Sequence, residues 1–170
     1  MEKGIKAALY PGTFDPLTMG HVSLIRRGCQ VFDRIIVAVA ESTPKNTLFS
    51  LAERVELARA VFAQDSAVRV EAFSGLTVEY ARKAGVVAIL RGLRAVSDFE
   101  YEFQLALMNR RLERKIQTVF LMTDYKWLYI SSTMIKTAAR EGANITGLVP
   151  ENVREALHAK FGGHAACSES

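Results

Sequence analysis

Three stretches concentrate residues suited to holding phosphate. The first, Pro11-Gly12-Thr13-Phe14-Asp15-Pro16-Leu17-Thr18-Met19-Gly20-His21, brings a hydroxyl, small residues and an imidazole to the start of a helical pattern. Gly12 lets the backbone approach a ligand or take positive φ, and Thr13 offers a hydroxyl and an amide. Gly20 leaves space above the helix start. His21 then projects from the first turn, where free N–H groups and the positive end of the helix dipole favour phosphate. The second stretch, Arg91-Gly92-Leu93-Arg94, sets two guanidinium groups around a glycine, which suits polyphosphate. The third runs from Thr123 to Thr133 and ends in three hydroxyls, Ser131, Ser132 and Thr133, at another helix start. A plain turn and cap would explain Gly12-Thr13 alone, and a plain N-cap would use one of the three hydroxyls.

Each stretch follows a strand-like run. Ile5 to Tyr10 reads as a short buried strand meeting a turn at Pro11-Gly12, and Gly20 to Phe32 as a helix with Val22, Ile25, Cys29 and Phe32 on one face. Arg34–Ala40 is strand two. Ser50 with Glu53 makes a capping box for a second helix. Val68–Phe73 reads as strand three, Leu76–Ala84 as a short helix ended by Gly85, and Val86–Leu90 as strand four. Ser97 with Glu100 reads as another capping box, for a helix reaching about Arg114. Thr118–Met122 is strand five, followed by helices near Ser132–Glu141 and Pro150–Phe161. Strands joined by helices pair in parallel, and near-continuous apolar strands need cover on both faces. The expected fold is therefore a doubly wound α/β fold with a five-stranded parallel sheet. In such a sheet, ligands bind beyond the carboxyl ends of the strands, where the winding reverses.

Composition agrees with a single domain over residues 1–161 and a small, polar, frayed tail at 162–170. The chain has 170 residues, 49% hydrophobic and 24% charged. That balance excludes disordered and fibrous classes, and the length suffices for a core without disulfide or metal staples. No run approaches the roughly 18 apolar residues of a membrane span, and Met1-Glu2-Lys3-Gly4 leads into a strand rather than a signal core, so a cytoplasmic protein is expected. Cys29 and Cys167 lack C-x-x-C partners, and the three histidines are too dispersed to suggest a metal site. The net charge of +4 fits an anionic partner. A nucleic-acid module is disfavoured, since no aromatic-basic recognition motif accompanies so modest a charge.

The helix after strand four carries two apolar stripes, Phe99, Phe103 and Ala106 on one face and Tyr101, Leu105, Met108 and Leu112 on another. A monomer needs one buried stripe, so the second is expected to meet a ligand or another subunit.

Pro-Gly-Thr-Phe-Asp-Pro followed by Thr18-x-Gly20-His21 resembles the signature of the nucleotidyltransferase superfamily with an H-x-G-H or T-x-G-H motif. Ile130-Ser131-Ser132-Thr133, with Lys136 one helical turn on, resembles that superfamily's second motif. Arg91-Gly92-Leu93-Arg94 with Asp98-Phe99-Glu100-Tyr101-Glu102 narrows the resemblance to the bacterial phosphopantetheine adenylyltransferases, over roughly Ile5 to Phe161. Thr18 stands in place of the superfamily's first histidine, as expected in this branch.

The resemblance implies transfer of AMP from ATP to 4′-phosphopantetheine, giving dephospho-coenzyme A and pyrophosphate. It implies that His21 stabilises the transition state at the α-phosphate, and that Thr13, Lys45, Thr77 and Arg91 bind the acceptor. It further implies that Thr13, Phe14, His21, Gly92, Leu93, Arg94, Glu102 and the run Trp127, Leu128, Tyr129, Ile130, Ser131, Ser132 and Thr133 bind ATP. Glu102 would repel polyphosphate, so a ribose, adenine or metal-shell contact is expected of it, or else the role of a surface helix glutamate paired with a neighbouring arginine. Mg²⁺ is expected to arrive on the triphosphate, with no protein carboxylate cage. A homohexamer, and feedback inhibition by coenzyme A at an overlapping site, are implied too. Rival readings are a nucleotidyltransferase acting on another acceptor, such as nicotinamide mononucleotide, and a nucleotide sensor without turnover. Helix-start placement pushes His21 towards neutrality and bound phosphates push it towards the cation; the sequence leaves that balance open.

Overall fold

A computed structural model describes residues 5–41, 46–94 and 96–162. Five parallel strands form one sheet in the order β3-β2-β1-β4-β5: β1 (Ala7–Gly12), β2 (Arg34–Ala40), β3 (Val68–Phe73), β4 (Ala88–Leu93) and β5 (Gln117–Met122). The helices are α1 (Met19–Gly28), α2 (Leu51–Val61), α3 (Thr77–Lys83), α4 (Val96–Leu112), α5 (Ser132–Arg140) and α6 (Glu151–Phe161). The doubly wound parallel sheet expected from the sequence is the observed fold.

Alternation along the strands divides the core into two layers. Tyr10, Ile35, Val37, Val39 and Leu90 pack on one face with side chains of α1, α2, α5 and α6. Leu9, Ile36, Ala38 and Ile89 point to the other face, where Val78 and Ala81 of α3 meet them. Fully burying such a side chain contributes about 1.5–3 kcal/mol. The capping box of α2 is present: Ser50 N donates to Glu53 at 2.7 Å, and Glu53 N donates to Ser50 Oγ at 3.3 Å.

Several boundaries differ from the sequence reading. β4 continues through Arg91, Gly92 and Leu93, which sit on the strand's carboxyl end rather than in a loop, because β5 offers partners as far as Met122. α4 is already under way at Val96, so Ser97 is not its N-cap. α1 stops at Gly28, four residues short of Phe32, which turns back into the core. A short 3₁₀ turn at Tyr125–Trp127 precedes α5.

The two stripes of α4 are both largely open. Phe99, Tyr101, Phe103, Leu105, Leu107, Met108 and Leu112 are exposed, and among the side chains described from Asp98 onward the one this helix buries is Glu102. The helix lies against β4 and β5, with Glu102 reaching Arg91 and the Phe99 ring 6.5 Å from that of Phe120 in β5.

Candidate active site

The site begins where the sheet splits. β1 pairs with β4 only at Ala8↔Ala88 and Leu9↔Ile89, whereas β1 stays on β2 to Gly12↔Val39 and β4 stays on β5 to Leu93↔Met122. Beyond Leu9 the two central strands therefore diverge, at the point where the winding reverses. Pro11, which lacks an N–H, is tolerated in a central strand because its β4-facing edge has no ladder to complete. The gap opens into a crevice of about 510 Å³.

Arg91 spans the split. Its Nη1 donates to the Pro11 carbonyl at 3.3 Å, while Nε and Nη2 grip Glu102 at 2.7 and 2.5 Å. Burial by itself would lower the pKa of Arg91, but the Glu102 carboxylate overrides it and holds the guanidinium above its ordinary value. Arg91 thus forms a fixed cationic wall. Behind it lies a second, small cavity of about 80 Å³ that Thr77, Glu102, Leu105 and Asn109 help to line.

His21 is locked by its own helix start. Thr18 is the N-cap of α1, and the imidazole takes the place that Glu occupies in an ordinary capping box. The Thr18 N–H donates to His21 Nδ1 at 3.0 Å, so Nδ1 is an acceptor and the neutral ring carries its proton on Nε2. Burial, followed by the Arg94 charge, lowers the His21 pKa to about 4. Before substrate binds, the ring is therefore a neutral donor lining the crevice.

The loop between β1 and α1 is packed tightly around that ring. Phe14 adopts a positive φ of 50°, and its ring lies edge-on to both Tyr10 and His21, at 5.5 and 5.3 Å. The ring also covers Gly12: a Cβ there would sit 2.8 Å from Phe14 Cζ, so a side chain would displace it. Gly20 is close-packed too, with Trp127 Cβ 3.3 Å from where its Cβ would stand. Burial raises the Tyr10 pKa to about 12, so its hydroxyl stays protonated. Asp15 is 4% exposed, and its carboxylate receives Lys136 of α5 at 2.5 Å.

The start of α5 closes the opposite side. Ser131 caps the helix by accepting from Met134 N at 3.2 Å, and Ser132 Oγ donates to the Pro16 carbonyl at 2.8 Å. Arg94 is steered by Asp98 at 3.3 Å and the Ile130 carbonyl at 3.4 Å. The free amides of α5, with Arg91, Arg94 and Lys136, give the crevice a cationic lining with Asp15 as its one carboxylate among the described residues.

A cytidylyltransferase-like family model matches residues 9–138, a span that holds all of these elements. A phosphopantetheine adenylyltransferase of Nitratidesulfovibrio vulgaris is 69% identical over 161 residues, covering 95% of this chain and 86% of the relative. The chain belongs to the phosphopantetheine adenylyltransferase family. A second member, from Lawsonia intracellularis, is 57% identical over 92% of this chain and 91% of its own. A solved structure from Vibrio parahaemolyticus, described as a candidate nicotinate-nucleotide adenylyltransferase, superposes with a TM-score of 0.67 over 90% of this chain and 98% of the other. At 19% identity, it shares the fold.

In this phosphopantetheine adenylyltransferase family member, the crevice gathers Thr13, Phe14, His21, Arg91, Gly92, Arg94, Trp127, Ile130, Ser131, Ser132 and Thr133 from the residues singled out in the sequence. Leu93, Leu128 and Tyr129 lie outside its lining, the last two exposed. Thr77 and Glu102 instead line the small cavity behind Arg91, and Glu102 pairs with Arg91 from a buried position rather than from the helix surface, because α4 docks that side on β4. Lys45 lies outside the described residues. Tyr10, Thr47, Tyr101 and Thr123 also line the crevice, although the sequence reading gave none of the four a binding role of its own. The Asp15–Lys136 pair joins two quoted motifs across 121 positions, a contact that only the folded chain brings about.

Proposed function

We propose that the crevice transfers AMP from ATP to 4′-phosphopantetheine by direct in-line attack. A phosphate oxygen of the acceptor, already ionised near neutral pH, forms a bond to the α-phosphorus of ATP. The bond from that phosphorus to the β-phosphate oxygen breaks, and pyrophosphate leaves with the electron pair. No proton has to be removed from the nucleophile, so no protein base is needed. The protein's task is to align two polyanions and to stabilise charge around the α-phosphorus.

One observation carries this reading: the Thr18 amide fixes His21 as an Nε2–H donor beside Arg94 and the α5 amides. Such a donor suits an oxygen gaining charge, and its low pKa keeps it from acting as a cationic trap for ATP. Of the hydroxyls around it, Ser131 caps α5 and Ser132 donates to the Pro16 carbonyl, which ties the start of α5 to the loop after β1. Arg91 and Thr13 serve the acceptor phosphate. The small cavity sharing Arg91 and Pro11 takes the pantetheine arm at Thr77. Coenzyme A, which carries the same arm, then competes from an overlapping site as a feedback inhibitor.

Mg²⁺ accompanies the triphosphate. Asp15 already receives Leu48 N, Phe49 N and Lys136, so phosphate and water supply the ion's ligands. The open apolar face of α4 supports self-association, and the count of six rests on the resemblance. No helix among the described residues is long and apolar enough to cross a membrane, and the place of action is the cytoplasm, where ATP is available.

The test is pyrophosphate release from ATP with 4′-phosphopantetheine or nicotinamide mononucleotide as acceptor. Release with the first alone is expected; release with the second alone overturns the reading.

A further inference from the structure

Arg54 of α2 is 3% exposed, yet its hydrogen bonds among the described residues go to main-chain carbonyls. Nε donates to Phe49 O at 3.2 Å, and Nη1 donates to Thr13 O at 2.7 Å and to Ala40 O at 2.9 Å. These carbonyls come from three places: the loop after β1, the carboxyl end of β2, and the segment leading into α2. Asp15 grips the last from the other side, accepting Leu48 N at 3.0 Å and Phe49 N at 2.9 Å. The Phe49 residue is thus held by its N–H through Asp15 and by its C=O through Arg54.

An apolar side chain could fill the volume of Arg54 without desolvating a charge, but it would leave carbonyls of three segments unpaired. A lysine keeps the charge but loses the planar fork that reaches divergent acceptors. The segments held in this way carry Thr13 and Thr47, and both line the crevice. The other side of the crevice, with His21, Arg94 and Ser131–Thr133, is built from α1, β4 and the start of α5, to which Arg54 donates no hydrogen bond.

We propose that Arg54 is a positioning residue for the acceptor side of the crevice, setting the places of Thr13 and Thr47 and through them the affinity for the acceptor's phosphate. This rests on the reading of Thr13 and Arg91 as the acceptor side; the resemblance gives Thr13 to ATP as well, and a shared role of that kind would show as parallel weakening of both substrates. A merely structural arginine would weaken both substrates together or alter stability alone.

The single tryptophan of the chain, Trp127, lines the crevice, so its fluorescence in the full-length protein is the chosen readout of ATP binding. Arg54→Gln is expected to raise KM for 4′-phosphopantetheine about tenfold or more, as loss of buried hydrogen bonds would, while the ATP binding midpoint moves less than about twofold. Arg54→Lys is expected to show the same split with a smaller rise. Parallel weakening of both substrates, or an unchanged acceptor KM in a folded variant, overturns the proposal. If Arg54→Gln loses its cooperative melting transition, Arg54→Lys decides alone, and an acceptor KM equal to wild type refutes the positioning role. Should wild-type protein use a different acceptor, the functional reading falls, and the positioning role is judged on that acceptor's KM.

Discussion

The corner between β1 and α1 and the long helix α4 handle their side chains in opposite ways. At the corner, buried polar groups have named partners: Thr18 and His21 hold each other, and Asp15 takes Lys136 and two backbone amides. On α4 a carboxylate is buried, while seven large apolar side chains stand in the open. The first arrangement is complete within one chain and holds its geometry before any ligand arrives. The second is energetically unfinished, since apolar surface on this scale gains by being covered. Glu102 joins the two regions through its hold on Arg91, and α4 also reaches the site through Tyr101 in the crevice lining and Asp98 on Arg94.

Breaking the corner should show most. His21→Ala is expected to lower kcat about 10²–10³-fold, the scale of a lost transition-state donor, with the Trp127-reported ATP affinity nearly unchanged. An equal loss in both would remove His21 from the transition state. Asp15→Ala leaves Lys136 half-buried without its partner and two amides unpaired, and is expected to cost about 3–5 kcal/mol in denaturant unfolding. A loss within the range of a surface ion pair would mean that the corner is not held as described.

Acid should loosen the same corner. The unfolded His21 takes up its proton near 6.5, whereas the folded ring resists until about 4, because of burial and then Arg94. The unfolded state binds more protons in that window, so the stability His21 contributes is full above 6.5 and is lost as pH falls towards 4. Melting wild type and His21→Gln from pH 7 to 5 should show a steeper decline in wild type; parallel curves would refute the buried neutral ring.

The α4 side of the comparison is tested by charge. Leu107→Glu and Met108→Glu place carboxylates on the open face, and sedimentation should show dissociation towards smaller species. Their effect on monomer stability should stay within about 0.5 kcal/mol, as for exposed positions elsewhere. Dissociation without loss of fold would confirm that this face serves assembly, and unchanged mass would leave it without that role.

Much of the site's material was legible as residue types. The glycines at 12 and 20, the Thr18–His21 spacing and the Ser131–Thr133 hydroxyls each carry a local reason, and the folded chain brings them to one crevice. The doubly wound parallel sheet follows from alternating strands and helices, whereas the order β3-β2-β1-β4-β5 depends on which strands pair in the folded chain. Other features depend on contacts between distant segments. Arg91 to Leu93 read as loop because the glycine interrupts the apolar run, yet pairing with β5 extends the strand through them. Glu102 looked like an exposed helix position, and only the docking of α4 on β4 brings it to Arg91. Arg54 lies in an ordinary helical pattern, so nothing in its neighbours marks it as the meeting point of three segments.

Direct attack on the α-phosphorus can be tested at that atom itself. ATP carrying a chiral phosphorothioate at the α position can be turned over with 4′-phosphopantetheine and the configuration of the product determined. A single displacement inverts the phosphorus centre, and inversion is the expected result. Net retention would mean two successive displacements through an adenylylated side chain, and would contradict a crevice that works by alignment and charge stabilisation alone.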